Sequence, residues 1–315
     1  MTDTPRIGFI GVGFMGHGMA RNLIDKGHSM QVIGNRNRQP VDDLVARGAT
    51  EAATPAAMAA EVDIIHLCLP NSASVEAVVR GPDGILAGAR PGLTVIDTTT
   101  ADPGSTLALA DELAARGVTL VDAPLGRTPK EAEAGTLDAM VGCDPDTFQR
   151  VLPVIRCWAS NINHVGPVGS AHKMKLIMNF VSMGYAALFA EALTTAAKAG
   201  ISPQTVHKVI GSSRMSNGFF DTFMAGAVGR DREIHKFTIT NAAKDLRYCA
   251  TMAMAGGMAN PMGAAMRSMF AAAEASGHGG RFVPELADLF AAANGLDLAE
   301  AVRQGAAQPG ADSPA

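Results

Sequence analysis

The stretch RIGFIGVGFMG, Arg6 to Gly16, decides how the rest of the chain is read. An apolar run, Arg6–Ile10, passes directly into Gly11-x-Gly13-x-x-Gly16, and Met15, Met19, Ala20 and Leu23 then recur at helical spacing. A strand, a glycine loop and a helix in that order let the backbone approach a pyrophosphate while the helix N-terminus faces its charge. Gly11, Gly13, Phe14, Met15 and Gly16 are therefore the first candidate cofactor contacts; the bland reading is a glycine-rich structural turn.

Working outward, Gly27-His28 closes the helix and Met30–Ile33 follows as the next strand. Asp63–Leu69, Leu93–Asp97 and Leu120–Pro124 continue the series, and Ala139–Gly142 adds a strand near the sheet edge. Strands alternating with helical patterns predict a parallel, doubly wound sheet, an α/β Rossmann-type domain over residues 1–168. From Ser170 to Ala199 only Gly184 interrupts the helical pattern, which allows about 45 Å of helix at 1.5 Å per residue. Gly200 and then Ser202-Pro203 mark a stop and a fresh start. An all-α C-terminal domain, 169–304, is expected, joined to the first through that long helix. The Pro/Gly-rich end, 305–315, reads as a disordered tail.

Composition narrows the partners. The 315 residues are 47% hydrophobic, and 26 basic against 30 acidic side chains leave a net charge of -4. That balance gives no electrostatic case for nucleic acid. No apolar run long enough for a membrane span is expected and Met1–Arg6 shows no signal-peptide layout, while the four cysteines share no metal-ligand spacing. A reducing cytoplasm is the expected compartment. The eight histidines form no ligand-spaced cluster, so no metal is expected; His17, His28 and His172 read as turn or helix-start residues.

Two further segments carry chemistry. The second strand ends VIGNRNR, with Asn35, Arg36 and Arg38 where an NAD-binding fold would place an acid for the ribose 2'-hydroxyl. A guanidinium can instead pair with a 2'-phosphate, so Arg36 favours NADP(H) over NAD(H), with Arg38 as a second contact or a solvated charge. In GSAHKMKLIMNF, Lys175 and Asn179 lie four apart on one helix face, with Ser182 three further on. A lysine sheltered there could protonate a developing alkoxide; a helical lysine that merely snorkels is the alternative, and Lys173 on another face reads that way.

These motifs, in this order, resemble the β-hydroxyacid dehydrogenase family, which includes 3-hydroxyisobutyrate dehydrogenase and tartronate semialdehyde reductase. The resemblance runs from the glycine loop to about Ala293. DTTTADP is similar to the family's Asp-x-Ser-Thr-x-x-Pro segment, with Thr99 and Thr100 in the Ser-Thr places; it implies Thr99 on the substrate and Thr100 on the cofactor. Leu69-Pro70 resembles a pair that lies along the cofactor. Lys244 of Lys244-Asp245-Leu246 resembles a lysine on the nicotinamide side. Lys175 is implied as the general acid/base and Asn179 as a substrate contact. Reversible hydride transfer between a hydroxy acid and its aldehyde or ketone is implied, in a homodimer or homotetramer.

One segment departs from the family. Most members have Ser-Gly-Gly where this chain has Gly126-Arg127-Thr128. An arginine there adds a positive fork beside the substrate's anion site. Gly-Arg-Thr, with Ser182 and the run Ala134–Leu137, resembles the 3-sulfolactaldehyde reductase branch. Met178 and Asn35 differ from that branch, which keeps a carboxylate substrate open: 3-hydroxyisobutyrate, succinate semialdehyde with 4-hydroxybutyrate, or tartronate semialdehyde. A structural ion pair of Arg127 with Glu131 or Glu133 is the bland reading. An imine reductase or a non-enzymatic NADP sensor would share the architecture; Lys175 with Asn179 speaks for hydroxy-acid chemistry over both.

Overall fold

The computed structural model describes residues 4–307. Six strands, β1 (Ile7–Ile10), β2 (Met30–Ile33), β3 (Thr50–Glu51), β4 (Ile64–Leu67), β5 (Thr94–Asp97) and β6 (Thr119–Asp122), pair in parallel in the order 3-2-1-4-5-6. The order reverses between β1 and β4, and in open α/β sheets the crevice at that reversal is where ligands bind. Three more strands extend the sheet beyond β6. β7 (Leu125–Gly126) and β6 both run antiparallel to β8 (Leu137–Gly142), and β9 (Ala159–Gly166) pairs parallel with β8.

The central strands are apolar on successive residues because helices cover both faces. β1 and β4 are buried throughout. Phe9, Val32, Ile96 and Trp158 pack on one side, and Ile65, Leu67, Val95 and Leu113 on the other. The covering helices are α1 (Gly16–Asp25), α2 (Gln39–Ala46), α3 (Pro55–Glu61), α4 (Ser72–Arg80), α5 (Ile85–Gly88), α6 (Pro103–Ala114), α7 (Pro129–Ala134) and α8 (Pro145–Ile155).

Helix starts follow a local rule that the sequence states openly. α3, α6 and α8 each open with proline after Thr54, Asp102 or Asp144, whose side chains accept a first-turn N–H at 2.8–3.0 Å. Proline lacks the N–H that this position cannot use, and the cap satisfies one that it can.

The chain divides into two compact units between Leu176 and Ile177, inside α9 (Ser170–Lys198) rather than at its start. The second unit continues with α10 (Pro203–Gly211), α11 (Gly218–Ala227), α12 (Ile239–Ala255), α13 (Pro261–Ala273), α14 (Leu286–Ala293) and α15 (Leu298–Ala306). Its core gathers Phe220, Phe223, Phe270, Leu193 and Leu286. Gly200, at φ 81°, ends α9, and Ser202 caps α10 through Thr205 N–H at 3.2 Å, as the sequence predicts.

Three expectations change. β3, β7 and β9 carry no apolar run to announce them: two are two residues long, and β9 is a polar, mostly exposed edge. Gly305 and Ala306, expected in the tail, complete α15. Gly305 lies so close to Gln204 that a Cβ would come within 2.1 Å of its Oε1. Residues 308–315 lie outside the described residues. Finally, α9 has the length and mean hydropathy of a membrane span, 1.5 over its most apolar window, contrary to the expectation that no segment would; 39% of that window is buried in the protein.

Candidate active site

The three loop glycines have three different reasons. Gly11 adopts φ 101°, and a Cβ there would lie 2.2 Å from the Cys68 carbonyl oxygen, where β1 and β4 end side by side. At Gly16 a Cβ would meet the Gly11 carbonyl at 2.0 Å and the Phe9 ring at 2.9 Å, so this glycine lets α1 sit tight on its strand. Gly13 is neither crowded nor in a left-handed conformation; nothing lies within 4 Å of the place its Cβ would take. That open cradle, which protein packing does not need, fits a dinucleotide pyrophosphate. Met15 precedes α1 without any side-chain cap; the His17 N–H turns back to the Gly13 carbonyl at 3.0 Å, and no capping side chain stands between the helix start and an anion. Phe14 projects from the loop, 90% exposed.

At the end of β2, the two arginines separate. Arg38 is tied to Glu51 by two bonds of 2.6 and 2.8 Å and to Asp42 at 3.1 Å. This ion pair packs over Gly34, where a Cβ would come within 2.3 Å of Glu51. Glu51 is accordingly held below its usual range by the Arg38 guanidinium. Arg38 is therefore a structural residue. Arg36 stays exposed without an ion pair among the described residues, its backbone N–H donating to Asn35 Oδ1 at 2.8 Å.

The loop after β4 is braced from β5. Leu69 N–H donates to Thr99 Oγ1 at 3.1 Å, and Thr99 N–H donates to Asp97 Oδ1 at 2.9 Å. Thr99, expected to touch substrate, is 2% exposed and braces this loop. Burial pushes the Asp97 carboxyl up and the Cys68 thiol up to about 11. Pro70 is exposed and Thr100 half-buried on the same rim.

The Gly-Arg-Thr segment joins β7 to α7. Gly126 lies opposite Asp138 on β8, and a Cβ at Gly126 would come within 3.1 Å of the Asp138 Cβ. Arg127 has a left-handed backbone, φ 76°, and its Nε donates to Asp138 Oδ1 at 3.0 Å. The partner is thus Asp138, and neither Glu131 nor Glu133, the expected ones. Glu131 accepts from the Thr128 N–H and hydroxyl, so Thr128, expected on substrate, starts α7. Glu133 faces His17 Nδ1 at 2.9 Å and Arg21 at 2.7 Å, while His17 Nε2 faces Asp43 at 2.9 Å. His17 stands at the start of α1, in keeping with its reading as a turn or helix-start residue, and there it also ties α1 to both α2 and α7. At Gly18 a Cβ would come within 2.6 Å of the Ala132 carbonyl carbon, so α7 and α1 are in backbone contact.

Asp122, at the end of β6, accepts N–H groups of Gly169 and His172 and so anchors the start of α9. Lys175 follows, half-buried, while Lys173 is exposed. In the second unit Asn179 donates to Asp245 Oδ2 at 2.6 Å, and Lys244 Nζ lies 3.2 Å from Asp245 Oδ1. Asp245 is 2% exposed and holds both. Sequence reading passed over it; the one available signal was its place between Lys244 and an apolar residue, where a carboxylate needs a partner. Ser182 donates to the Asn179 carbonyl at 3.2 Å.

Residues 6–166 match the family described as the NAD binding domain of 6-phosphogluconate dehydrogenase, and residues 169–290 that described as NAD-binding of NADP-dependent 3-hydroxyisobutyrate dehydrogenase. The chain is 33% identical over 279 residues to 2-(hydroxymethyl)glutarate dehydrogenase of Eubacterium barkeri, covering 89% of this chain and 92% of that protein. It is also 33% identical over 273 residues to 3-sulfolactaldehyde reductase of Escherichia coli, covering 87% and 91%. A solved structure of Mycobacterium tuberculosis 3-hydroxyisobutyrate dehydrogenase with L-serine superposes with a TM-score of 0.82 at 26% identity, over 91% of this chain and 99% of that one.

Proposed function

The chain belongs to the β-hydroxyacid dehydrogenase family of 3-hydroxyisobutyrate dehydrogenase-like proteins, an NAD(P)-dependent oxidoreductase acting on CH–OH groups, and from that premise we propose that it interconverts a small carboxylate-bearing aldehyde and its hydroxy acid with NADP(H). The observation that carries the anionic substrate is Arg127, a cation built into the place where β7 meets α7. A carboxylate is favoured by the names of the relatives, 2-(hydroxymethyl)glutarate dehydrogenase among them. A sulfonate is the second reading, favoured by Gly126-Arg127-Thr128 itself and by the likeness to 3-sulfolactaldehyde reductase.

The nicotinamide dinucleotide, when bound, supplies the hydride. Gly11, Gly13 and Gly16 with the uncapped start of α1 receive its pyrophosphate, and Arg36 its 2'-phosphate. Phe14, Met15, Asn35, Leu69, Pro70 and Thr100 would line the same seat; Lys244 is assigned to the nicotinamide by the family resemblance. Lys175 Nζ donates a proton to the carbonyl oxygen as negative charge gathers there. Asn179, its amide fixed by Asp245, holds the substrate in register with Ser182. Gly126 and Arg127 take the anionic end, Thr128 fixes the start of α7 behind them, and Thr99 braces the loop after β4.

Two further features belong to this reading. All four cysteines are free, which supports a reducing cytoplasm. The protein works as a homodimer or homotetramer, and no nucleic acid or membrane takes part.

The test is steady-state turnover of succinate semialdehyde, 2-(hydroxymethyl)glutarate and 3-sulfolactaldehyde with each cofactor, on wild type, Lys175→Ala and Arg127→Gly. Lys175→Ala should lower kcat by roughly 10²–10⁴-fold while leaving NADPH affinity nearly unchanged. Near-normal turnover without Lys175 would remove it from the mechanism. A preference for 3-sulfolactaldehyde that vanishes in Arg127→Gly would select the sulfonate reading.

A further inference from the structure

Arg127 and Asp138 form a more specialised pair than an ordinary surface ion pair. A left-handed backbone is unfavourable for a non-glycine residue, and Arg127 and Arg230 are the two described non-glycine residues that have one. The strain at Arg127 accompanies a definite geometry. The β7–β8 ladder sets Asp138 directly across from Gly126, and the missing Gly126 side chain leaves the room in which Asp138 stands. From there Asp138 takes only the Nε of Arg127. The two terminal nitrogens keep their N–H groups unpaired among the described residues, on a side chain that is 46% exposed. A guanidinium held at Nε cannot swing, and its terminal nitrogens remain as a planar fork for two oxygens of one anion. Behind the fork, the carboxylate at 3.0 Å offsets the arginine's charge.

We propose that Asp138 is a specificity-determining positioning residue, which orients the Arg127 fork and restricts the anion seat to singly charged heads, a carboxylate or a sulfonate, against dianionic phosphates. A second negative charge on the ligand would face the Asp138 carboxylate across the fork that Asp138 holds. The proposal rests on the reading that Arg127 receives the substrate's anion.

The experiment compares Asp138→Ala, Asp138→Asn, Arg127→Gly and the Asp138→Ala/Arg127→Gly pair on succinate semialdehyde, 3-sulfolactaldehyde and the dianionic glyceraldehyde 3-phosphate. Asp138→Ala frees the fork and should raise KM for the preferred singly charged aldehyde about tenfold with a much smaller change in kcat. The double variant should be no worse than Arg127→Gly alone, because Asp138 acts through the arginine. Asparagine keeps an acceptor for Nε but removes the charge, so Asp138→Asn should raise kcat/KM for glyceraldehyde 3-phosphate relative to the singly charged aldehyde by about tenfold. If Arg127→Gly raises KM while Asp138→Ala does not, or if Asp138→Asn leaves the dianion ratio unmoved, the proposal falls and the arginine reading stands. A silent Arg127→Gly removes both.

Discussion

The carboxylate of Asp122 accepts the backbone N–H of His172 at 2.8 Å, three residues before Lys175 in the same helix. Its other oxygen accepts Gly169 N–H at 2.7 Å, so one buried side chain satisfies two donors that the first turn of α9 cannot pair internally. His172 is itself enclosed, with Nδ1 2.7 Å from the Thr106 hydroxyl. The height of Lys175 above the sheet is thus fixed from below by β6 and α6.

Asp122→Ala should therefore cost about 2–4 kcal/mol of stability, since two charge-assisted bonds to buried N–H groups are lost at once. It should also lower kcat by more than tenfold, as Lys175 loses its fixed origin. Gly142→Ala is the complementary change, because a Cβ there would lie 2.3 Å from Asp122 Oδ1. Thermal unfolding with steady-state kinetics checks both; a variant with full kcat and lowered Tm would show that the anchor does not reach the lysine.

Arg36→Ala should weaken NADPH binding about 10- to 100-fold and leave NADH almost untouched, the worth of one charge-assisted phosphate contact. Arg38→Ala should leave the cofactor ratio alone, since Arg38 is engaged with Glu51 and Asp42. Fluorescence titration with both cofactors distinguishes the two arginines, and the reverse result would exchange their roles.

His66 gives the fold an acid-sensitive element. Its ring is buried against Phe9, and Trp158 Nε1–H donates to its Nε2 at 3.3 Å, which requires the neutral imidazole. Burial pushes its pKa down to about 3 from the ordinary 6.5. An unfolded chain takes up that proton below pH 6.5 and the folded chain does not. The unfolded state then binds more protons, so stability is complete above about pH 6.5 and falls from there toward pH 3, with a slope of up to about 1.4 kcal/mol per pH unit. His66→Gln should flatten that limb in urea unfolding measured from pH 7 to 4; an unchanged slope would assign it elsewhere.

Along α9, Ile177, Met178, Val181, Tyr185 and Leu188 recur at helical spacing and are 37–62% exposed. A second copy of the chain covering this stripe is the expected arrangement, so light scattering should return the mass of a dimer or tetramer. Leu188→Glu should shift the mass toward the monomer, and a monomeric wild type would overturn the expectation.

The strands of the central sheet were legible because each is buried on both faces and so reads as an apolar run; the glycine loop was legible because its spacing is local. Arg36 could be read from its position, but the engagement of Arg38 could not, since Glu51 reaches it from a two-residue strand with no period of its own. The expected partners of Arg127 were the acids nearest in sequence. Its actual partner, Asp138, is decided by the register of β7 on β8, and pairing register is a property of the assembled sheet rather than of either segment. Asp245 was missed for a similar reason: its link to Asn179 spans 66 positions.

The backbone contact between Gly18 and Ala132, with Glu133 gripping His17 and Arg21, has a consequence for protein engineering. Helix α1 backs α7, the helix that follows the short loop 126–128, so positions 126 and 127 can be rewritten while that backing stays in place. A combinatorial library confined to positions 126, 127 and 138, with Thr128 kept to start α7, should retarget the enzyme among acids of different head group and leave its cofactor affinity intact.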